Sequence, residues 1–378
     1  MEKKPVEVLV VAPLGVGGVS TMMINIQKHI NRENVNFDYL VFHEGKAPSE
    51  DIVSKMGSRK LIACVDHFSS AVIRRFARLA EIKRVCKENN IKILHYNADT
   101  PADLMNVIAA KAGGVEYVTM HSHNGGFGNA GLGIRFFSFI LKPLMPVVCD
   151  TFLSCSNLAA NFMYPKNVIK SKKYMVLHNG IDLDKFAYNE KIRKEKRLEL
   201  DLENKFVIGH AGRFSNQKNH AFIIDIFSKI CEKDTDSVLL LFGAGELQEK
   251  MKLKAKELGI YNRIIFYGTS DEMFNMWQAV DVFLMPSLHE GLPVTGIEAQ
   301  ASGVPCVFSD EITKEVDVSN TSIFLSLSRP VEEWAETVLS FKGKNRLNNI
   351  DLLKKAKYDI AETANIVEKL YLDASKSI

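Results

Sequence analysis

Short apolar runs alternate with amphipathic stretches along the whole chain. In the first half, these runs predict strands at 7–12, 36–42, 91–96, 117–124, 151–156 and 174–182. In the second half, they predict strands at 206–212, 238–243, 264–268, 282–286, 304–309 and 323–327. Continuous apolar strands that alternate with helices are typical of parallel sheets covered on both faces. The pattern therefore predicts an α/β protein.

A charged, loosely helical stretch follows Ala187 and separates the two groups of strands. A chain of 378 residues is long for a single hydrophobic core and suits two. We therefore predict one domain at residues 1–186 and a second at residues 187–357, each with a parallel sheet of its own.

The stretch 289–306 follows a predicted strand and contains several candidate ligand-binding residues close together. A helix is predicted to begin near Pro293, because proline lacks the N–H that would be unpaired in a first turn. The N–H groups of Val294 and Thr295 are then free at a helix start, where the helix dipole favours negative charge. This stretch therefore predicts a phosphate site.

Two carboxylates bracket that site, Glu290 on the loop and Glu298 in the helix, with Leu292 between them. Glutamate followed eight positions later by glutamate across Gly-Leu-Pro resembles the signature of glycosyltransferase family 4. The members of that family are retaining nucleotide-sugar transferases of the two-domain GT-B fold. Taken alone, the motif is also compatible with a surface helix that carries two glutamates.

Three other motifs resemble the same family and follow in the family's order. Arg213 and Lys218 form an Arg-x4-Lys element, Gly243 lies in a second glycine loop, and Gly17 and Gly18 lie in an amino-terminal one. The resemblance implies two Rossmann-like domains that face a central cleft. It also implies that the last helix, within residues 358–378, returns to the amino-terminal domain.

The resemblance also implies a role for each of these residues. Arg213 and Lys218 would neutralise the donor diphosphate, Glu298 would hold the ribose hydroxyls, and Glu290 would hold the hydroxyls of the transferred sugar. Without a metal-binding Asp-x-Asp beside them, these two cations would replace a metal, and we expect no cofactor. The other donor contacts would come from Gly243, Leu292, Pro293, Val294 and Thr295.

The loop from Gly15 to Ser20 is also close to a dinucleotide-binding fingerprint, and Asp38 lies near the place of the ribose-binding acid in such folds. However, Ser20 stands where the third glycine belongs, and the second half of the chain has phosphate motifs of its own. An NAD-dependent oxidoreductase is therefore the alternative to the family interpretation. A simple tight turn is another.

His121 and His123 end a predicted strand, where parallel sheets bind ligands. In the family a histidine after the corresponding strand contacts the donor sugar. His121 aligns best with that histidine, and His123 stays open as the alternative. Their spacing could also hold a metal, but no Asp, Glu or Cys beside them completes a set. A solvated loop histidine is the remaining interpretation.

The net charge of +3 hides an asymmetry, since residues 1–186 carry +7 and the rest −4. Residues 69–90 predict a basic amphipathic helix that contains Arg74, Arg75 and Arg78. This helix is either a solvated surface helix or a site that docks on an anionic membrane. The apolar stretch 133–146 is either a core helix broken by proline or part of a lipid-facing acceptor groove.

Further resemblance to bacterial exopolysaccharide and capsule transferases lies in His-Ser-His-Asn at 121–124 and in residues 324–335. It implies transfer from a UDP-sugar to a glycan or lipid-linked acceptor. We expect a cytoplasmic protein, either free or peripheral on the inner membrane face, and no nucleic-acid partner, because basic repeats and RNA-binding motifs are missing from the sequence. A nucleotide-sugar epimerase of the same fold and a non-catalytic nucleotide-sugar-binding regulator are further alternatives.

Overall fold

The computed structural model describes residues 4–15, 17–128 and 130–378, without the side chains of residues 71 and 72. The chain forms two compact units, Met1–Gly180 with Asp359–Ile378, and Ile181–Tyr358. This division falls before the predicted boundary at residue 186. The reason is that Leu183 and Phe186 are buried in the core of the second unit.

In the described part of the first unit, seven parallel strands form one sheet in the order β3-β2-β1-β4-β5-β6-β7. The strands are β1 Val6–Val11, β2 Val35–Val41, β3 Lys60–Ile62, β4 Ile93–Ala98, β5 Tyr117–Ser122, β6 Thr151–Ser154 and β7 Tyr174–Val176. The helices are α1 Gly18–His29, α2 Glu50–Lys55, α3 Ala71–Glu88, α4 Leu104–Ala112, α5 Leu132–Leu141, α6 Met145–Val148, α7 Asn157–Met163, α8 Lys166–Ile169 and the carboxyl-terminal α17 Ile360–Ala374, with 3-10 turns at Pro101–Asp103 and Lys142–Leu144.

The second unit has six parallel strands in the order β10-β9-β8-β11-β12-β13. The strands are β8 Phe206–Ala211, β9 Ser237–Phe242, β10 Ile264–Gly268, β11 Val282–Met285, β12 Cys306–Ser309 and β13 Ile323–Leu325. The helices are α9 Leu183–Phe186, α10 Glu190–Glu199, α11 His220–Lys233, α12 Gln248–Glu257, α13 Met273–Ala279, α14 Val294–Ala301, α15 Val331–Leu339 and α16 Ile350–Lys355, with 3-10 turns at Asn216–Lys218, Tyr261–Arg263 and Lys314–Val316.

Each sheet is buried on both faces, as its continuous apolar strands predict. Along β1, Val8 and Val10 pack into one core cluster, while Leu9 and Val11 pack into another on the opposite face. The predicted fold class, two parallel-sheet α/β domains, is confirmed. The short β3 escaped prediction, because a three-residue strand leaves no hydrophobic period to detect.

In both sheets the strand order reverses at one place, between β1 and β4 in the first unit and between β8 and β11 in the second. In open parallel sheets, ligands bind beyond the carboxyl ends of the strands near such a reversal. The loops that follow these four strands are therefore the places to look for a site. Within the described ranges, none of the helices has both the length and the apolar character needed to cross a bilayer.

Candidate functional site

In the second unit, the loops after β8 and β11 bring Lys218 and Glu290 together. The Lys218 Nζ donates a hydrogen bond of 2.6 Å to Glu290 Oε1. The two side chains are only 17% and 9% exposed, respectively. Their strands are neighbours in the sheet, so two residues that are far apart in sequence meet at the strand reversal. Because both charged groups are largely buried, removing either partner would leave a buried charge uncompensated. A ligand that binds Lys218 or Glu290 would therefore have to replace the other residue as its partner.

Arg213 lies on the same loop after β8 but does not join this pair. Its side chain is 74% exposed, and its Nη2 lies 3.2 Å from Glu246 Oε2. Glu246 belongs to the glycine loop after β9. The pKa of its carboxyl is lowered, first by a hydrogen bond from its own backbone N–H and to a smaller extent by the charge of Arg213. The Arg213 guanidinium thus lies at the protein surface in an exposed salt bridge, which it can leave to bind an anion.

Gly243 is required by the packing of the loops themselves. Its φ is +127°, and a Cβ at this position would lie 2.1 Å from the carbonyl oxygen of Gly212. A Cβ at Gly245 would similarly lie 2.5 Å from the carbonyl oxygen of Phe214. The loops after β8 and β9 therefore approach backbone to backbone, which only glycine permits. The predicted contact of Gly243 with a donor stays a prediction.

The helix α14 begins at Val294, with Pro293 as its N-cap residue. This agrees with the helix start predicted from the sequence. Among the described groups, none accepts a hydrogen bond from the backbone N–H of Val294 or Thr295. Leu292 is a core residue of this unit, so its contact with any ligand would have to come from its backbone.

Glu298, one turn into α14, lies in a different environment from Glu290. The Trp277 indole N–H donates to its Oε2 over 3.2 Å. Burial raises the pKa of Glu298 to about 7, and the hydrogen bond from Trp277 opposes this shift only in part. The carboxyl can therefore change its protonation state near neutral pH.

Two buried histidines beside this site had no predicted role. His210 Nδ1 lies 2.8 Å from the Leu284 carbonyl oxygen, and its Nε2 has no hydrogen-bond partner among the described residues. His220 stacks on Phe214 at 4.0 Å, and burial lowers its pKa to about 3. Burial also lowers the pKa of His210, so both rings are neutral and support the loop without adding charge.

In the first unit, His121 lies fully buried at the end of β5. Its Nδ1 is 3.2 Å from His95 Nε2, and His95 Nδ1 in turn contacts the Tyr371 hydroxyl of α17. The His121 Nε2 is buried and has no hydrogen-bond partner in the described residues. Burial lowers the pKa of His95 to about 3 and that of His121 as well. A neutral imidazole therefore presents one unpaired nitrogen here.

His123 lies beside His121, with ring centroids 4.1 Å apart, but its Nε2 is already engaged. It contacts Asn97 Oδ1 at 2.7 Å, and Asn97 donates its amide to the Val11 carbonyl oxygen at the end of β1. Burial lowers the pKa of His123 to about 4. The sequence offered no sign of His95, Asn97 or Tyr371, because only the fold brings them together. No group of three potential metal ligands occurs within the described ranges.

Gly17 is the N-cap of α1, and Gly18 is its first residue. A Cβ at either glycine would meet nothing within 4 Å, so the fold itself does not require glycine there. Both positions leave open space above the end of β1. Val16, between them and Gly15, lies outside the described residues.

Asp38 is not a ribose ligand, and that part of the alternative interpretation is wrong. It lies in the interior of β2 and is 1% exposed. Its Oδ2 is 2.5 Å from Arg59 Nη2, and its Oδ1 accepts the Arg59 backbone N–H over 2.7 Å. With both oxygens engaged inside the sheet, the carboxylate cannot reach a nucleotide at the strand end.

Two family models match the chain and together span most of it. The model of glycosyltransferase family 4 matches residues 16–185, and the model of glycosyl transferases group 1 matches residues 191–349. The first match begins in the first unit and extends five residues into the second, and the second match lies entirely in the second unit.

Two relatives match over most of their length. EpsF, a protein of Bacillus subtilis (strain 168) named as a glycosyltransferase, is 30% identical over 327 residues, which cover 85% of this chain and 84% of EpsF. The UDP-Gal:alpha-D-GlcNAc-diphosphoundecaprenol alpha-1,3-galactosyltransferase of Escherichia coli is 26% identical over 323 residues, with 80% and 81% coverage.

Solved structures share the fold at low identity. A glycosyltransferase from Rickettsia africae ESF-5 superposes with a TM-score of 0.74 at 16% identity and covers 100% of both chains. Anabaena Alr3699/HepE, in complex with UDP-glucose, gives a TM-score of 0.71 at 16% identity and covers 98% of this chain and 100% of its own.

Proposed function

The chain belongs to glycosyltransferase family 4, and from this premise we propose that it moves a sugar from a UDP-sugar to a hydroxyl of a lipid-linked glycan, with retention at the anomeric carbon. That the protein is a glycosyltransferase follows from its family. The donor base, the stereochemistry, the acceptor and a role in exopolysaccharide synthesis are the proposal.

The Lys218–Glu290 pair at the start of α14 is the observation that carries the proposal. A leaving diphosphate needs positive charge and N–H donors fixed in place before the reaction. Lys218, Arg213 and the free N–H groups at the start of α14 supply them in one unit. On donor binding, the diphosphate takes Lys218 and frees Glu290 to accept hydrogen bonds from the sugar hydroxyls.

In the proposed reaction the bond between the anomeric carbon and the diphosphate oxygen breaks, and the acceptor oxygen bonds to the same face of the sugar. The acceptor proton passes to the leaving diphosphate. Neither Glu290 nor Glu298 acts as a nucleophile. Glu298 holds the ribose hydroxyls instead, and His121 offers its unpaired Nε2 to the sugar.

The relatives support the choice of donor and acceptor. The Escherichia coli relative is named for a UDP-sugar donor and a diphosphoundecaprenol acceptor. The net charge of +7 on residues 1–186 also fits an anionic acceptor and association with an anionic membrane surface. We expect the reaction to need no metal, since Lys218 and Arg213 provide the cations.

The proposal is tested with the purified full chain and a panel of UDP-, GDP- and ADP-sugars and NAD. A UDP-sugar should raise the melting temperature, because a ligand at a hundred times its dissociation constant adds about 2.7 kcal/mol of stability. Incubation with a polyprenyl-diphosphate-linked sugar should then give a product that is heavier by one sugar residue. An α-linked product from an α-linked donor, seen by NMR, is expected. An inverted product, or a response to NAD alone, would overturn the proposal.

A further inference from the structure

The arginines at the two ends of α3 differ in whether they form salt bridges. Near its carboxyl end, Arg84 forms salt bridges with Glu81 at 2.8 Å and with Glu88 at 2.5 Å. Near its amino end, Arg74, Arg75 and Arg78 form no salt bridge with any carboxylate of the described residues. Such neighbouring guanidinium groups repel one another, and their charge is left available to an anion.

These three arginines line a pocket of about 300 Å³, here called the arginine pocket. Its other walls include Thr100 just beyond the carboxyl end of β4, Asn106 of α4, which donates a hydrogen bond to Tyr96 of β4, and Ile134 of α5. The pocket therefore opens at the same sheet edge as His121, on the neighbouring strand β5. The loops after these two strands are joined by a hydrogen bond of 2.9 Å from Asn124 to Asp99.

Aromatic rings hold two of the guanidinium groups in place. Arg75 lies over the ring of Phe137 at 5.3 Å, and Arg78 lies over that of Phe42 at 4.5 Å. The Arg78 Nε is buried and has no hydrogen-bond partner in the part of the chain that is described. A buried guanidinium N–H without an acceptor is unfavourable, so the binding of an anionic ligand that accepts its hydrogen bond would be favourable.

One carboxylate, Asp103, also lines the pocket, but its capacity is largely used. Its Oδ2 accepts the backbone N–H groups of Asp99 and Thr100 over 2.9 and 3.0 Å. Three guanidinium groups against one engaged carboxylate leave the arginine pocket positive. Guanidinium groups bind phosphate with paired donors, which suits a phosphate or diphosphate group.

The helix beside the pocket exposes an apolar face. On α5, Leu132 and Phe139 are 83% and 82% exposed, and Phe136 is exposed as well. The interpretation of 133–146 as a core helix therefore holds only for its carboxyl-terminal part, where Leu141 and Met145 are buried in the core. Exposed apolar side chains in one place mark an interaction surface. Since Phe137 of the same helix contacts Arg75, the apolar face is continuous with the cation pocket.

We propose that the arginine pocket binds the diphosphate of a lipid-linked acceptor, with the apolar face of α5 against the hydrocarbon chain of that acceptor. The inference rests on the proposed function in that the acceptor is lipid-linked. A soluble anion would leave the apolar face of α5 unused. A diphosphate held here would place its attached sugar at the sheet edge that carries His121. A phospholipid headgroup carries no such sugar, so it would not explain why the pocket lies at this edge.

The test measures binding of the full chain to neutral phosphatidylcholine nanodiscs that contain undecaprenyl diphosphate. Arg75→Gln/Arg78→Gln should weaken binding by about tenfold or more, as expected for the loss of charge-assisted hydrogen bonds. Arg84→Gln is the matched control, since Arg84 lies on the same helix outside the pocket, and it should bind as the wild type does. Arg74→Gln, at an exposed position, provides a milder variant should the double variant fail to fold.

Two further arms identify the source of the anion. Phosphatidylglycerol nanodiscs of equal charge and free pyrophosphate should each bind more weakly than the diphosphate lipid. Equal binding to phosphatidylglycerol would mean a general membrane site and would overturn the inference. Unchanged binding by the double and single pocket variants, or no binding by the wild type, would overturn it too.

Sugar transfer separates this inference from the proposed function. If the wild type and Arg75→Gln/Arg78→Gln transfer sugar to the lipid-linked acceptor with equal KM, the pocket inference fails and the proposed function stands. If the wild type binds a UDP-sugar but transfers only to soluble acceptors, the acceptor class fails with it. The rise in melting temperature on adding a UDP-sugar should be the same for the pocket variants and the wild type, because the residues proposed to hold the donor diphosphate and ribose belong to the other unit.

Discussion

The carboxyl-terminal edges of the two sheets are built in opposite ways. In the second unit the charged side chains have partners, since Lys218 is paired with Glu290 and Glu298 accepts a hydrogen bond from Trp277. The two neutral histidines beside them leave ring nitrogens unpaired. In the first unit, the His121 Nε2 is unpaired, and the arginines of the pocket have no carboxylate partner among the described residues.

This difference separates two ways of preparing a site. A paired charge is held in position before the ligand arrives, and the ligand binds by exchanging one partner for another. An unpaired polar group can give all of its hydrogen bonds to the ligand, but leaving it unpaired destabilises the free protein. We infer that the edge in the second unit is preorganised for a donor of fixed shape. The edge in the first unit offers cations, a neutral imidazole and apolar surface to a ligand of mixed character.

Breaking the pair in the second unit should have the largest effect. Lys218→Ala removes the cation proposed to bind the donor diphosphate and leaves the Glu290 carboxylate buried without its partner. Truncating one member of a buried charge pair costs roughly 2–5 kcal/mol, which corresponds to a loss of roughly 30-fold to several thousand-fold in kcat/KM. Steady-state kinetics with a UDP-sugar measures this loss.

Lys233→Ala is the control for this variant, because Lys233 is an exposed lysine at the far end of α11, paired with Glu336 at 2.6 Å. It should behave as the wild type. Arg213→Ala should reduce turnover at least tenfold but leave the melting temperature unchanged, since its salt bridge in the free protein is exposed. Full activity of Lys218→Ala would remove this residue from the mechanism.

The sequence predicted the two edges to different degrees, for a physical reason. The parallel strands follow from continuous apolar runs, and Lys218 and Glu290 follow from motifs on loops that each lie next to a strand. The His95–Tyr371 contact joins residues 276 positions apart, so no local pattern reveals it. Asp38 shows the reverse error, since its spacing suggested a ligand but its strand placed it inside the sheet.

The second prediction concerns the histidines of the first unit. His121→Ala should lower kcat by roughly tenfold or more, because of the two histidines at the end of β5 it is the one whose Nε2 has no hydrogen-bond partner among the described residues. His123→Ala should have a smaller effect, since its Nε2 already contacts Asn97. Parallel kcat measurements on the two variants decide which histidine contacts the sugar. A larger loss in His123→Ala would reverse the assignment.

The third prediction concerns pH and Glu298. Burial raises the pKa of Glu298 to about 7, so the folded state favours the protonated carboxyl. Its contribution to stability is therefore present below the usual carboxyl pKa of 4.5 and is lost as pH rises through about 7. Between pH 5 and pH 8 the wild type should lose roughly 1–3 kcal/mol of unfolding free energy relative to Glu298→Gln. Urea titrations of both proteins at each pH measure this difference.

Donor binding should depend on the same group with the opposite sign. In the proposed donor complex, ribose hydroxyls donate to the ionised Glu298, so the affinity for a UDP-sugar should rise between pH 6 and pH 8. A UDP-sugar is the suitable probe, because its diphosphate has no further ionisation in this range. Glu298→Gln should show a flat profile. An equal rise in both proteins would place the titrating group elsewhere.

The smallest expected effect is that of metal removal. Two Asp-x-Asp sequences occur in the chain, at 182–184 and 234–236, and both have structural partners. Asp182 caps α9 by accepting the Lys185 backbone N–H, and Asp234 accepts hydrogen bonds from Lys342 at 2.7 Å and from Ser237. If Lys218 and Arg213 are the cations of the donor site, as proposed, EDTA should leave kcat/KM unchanged.

The same experiment sharpens the comparison of the two edges when it is repeated on Lys218→Ala. If the lysine does the work of a metal, adding magnesium or manganese to this variant should restore part of the lost activity, because a divalent cation can neutralise the diphosphate in its place. The same addition to the wild type should change nothing. Loss of wild-type activity in EDTA, with recovery on adding magnesium, would contradict metal independence. It would also mean that Lys218 and Arg213 alone do not neutralise the diphosphate.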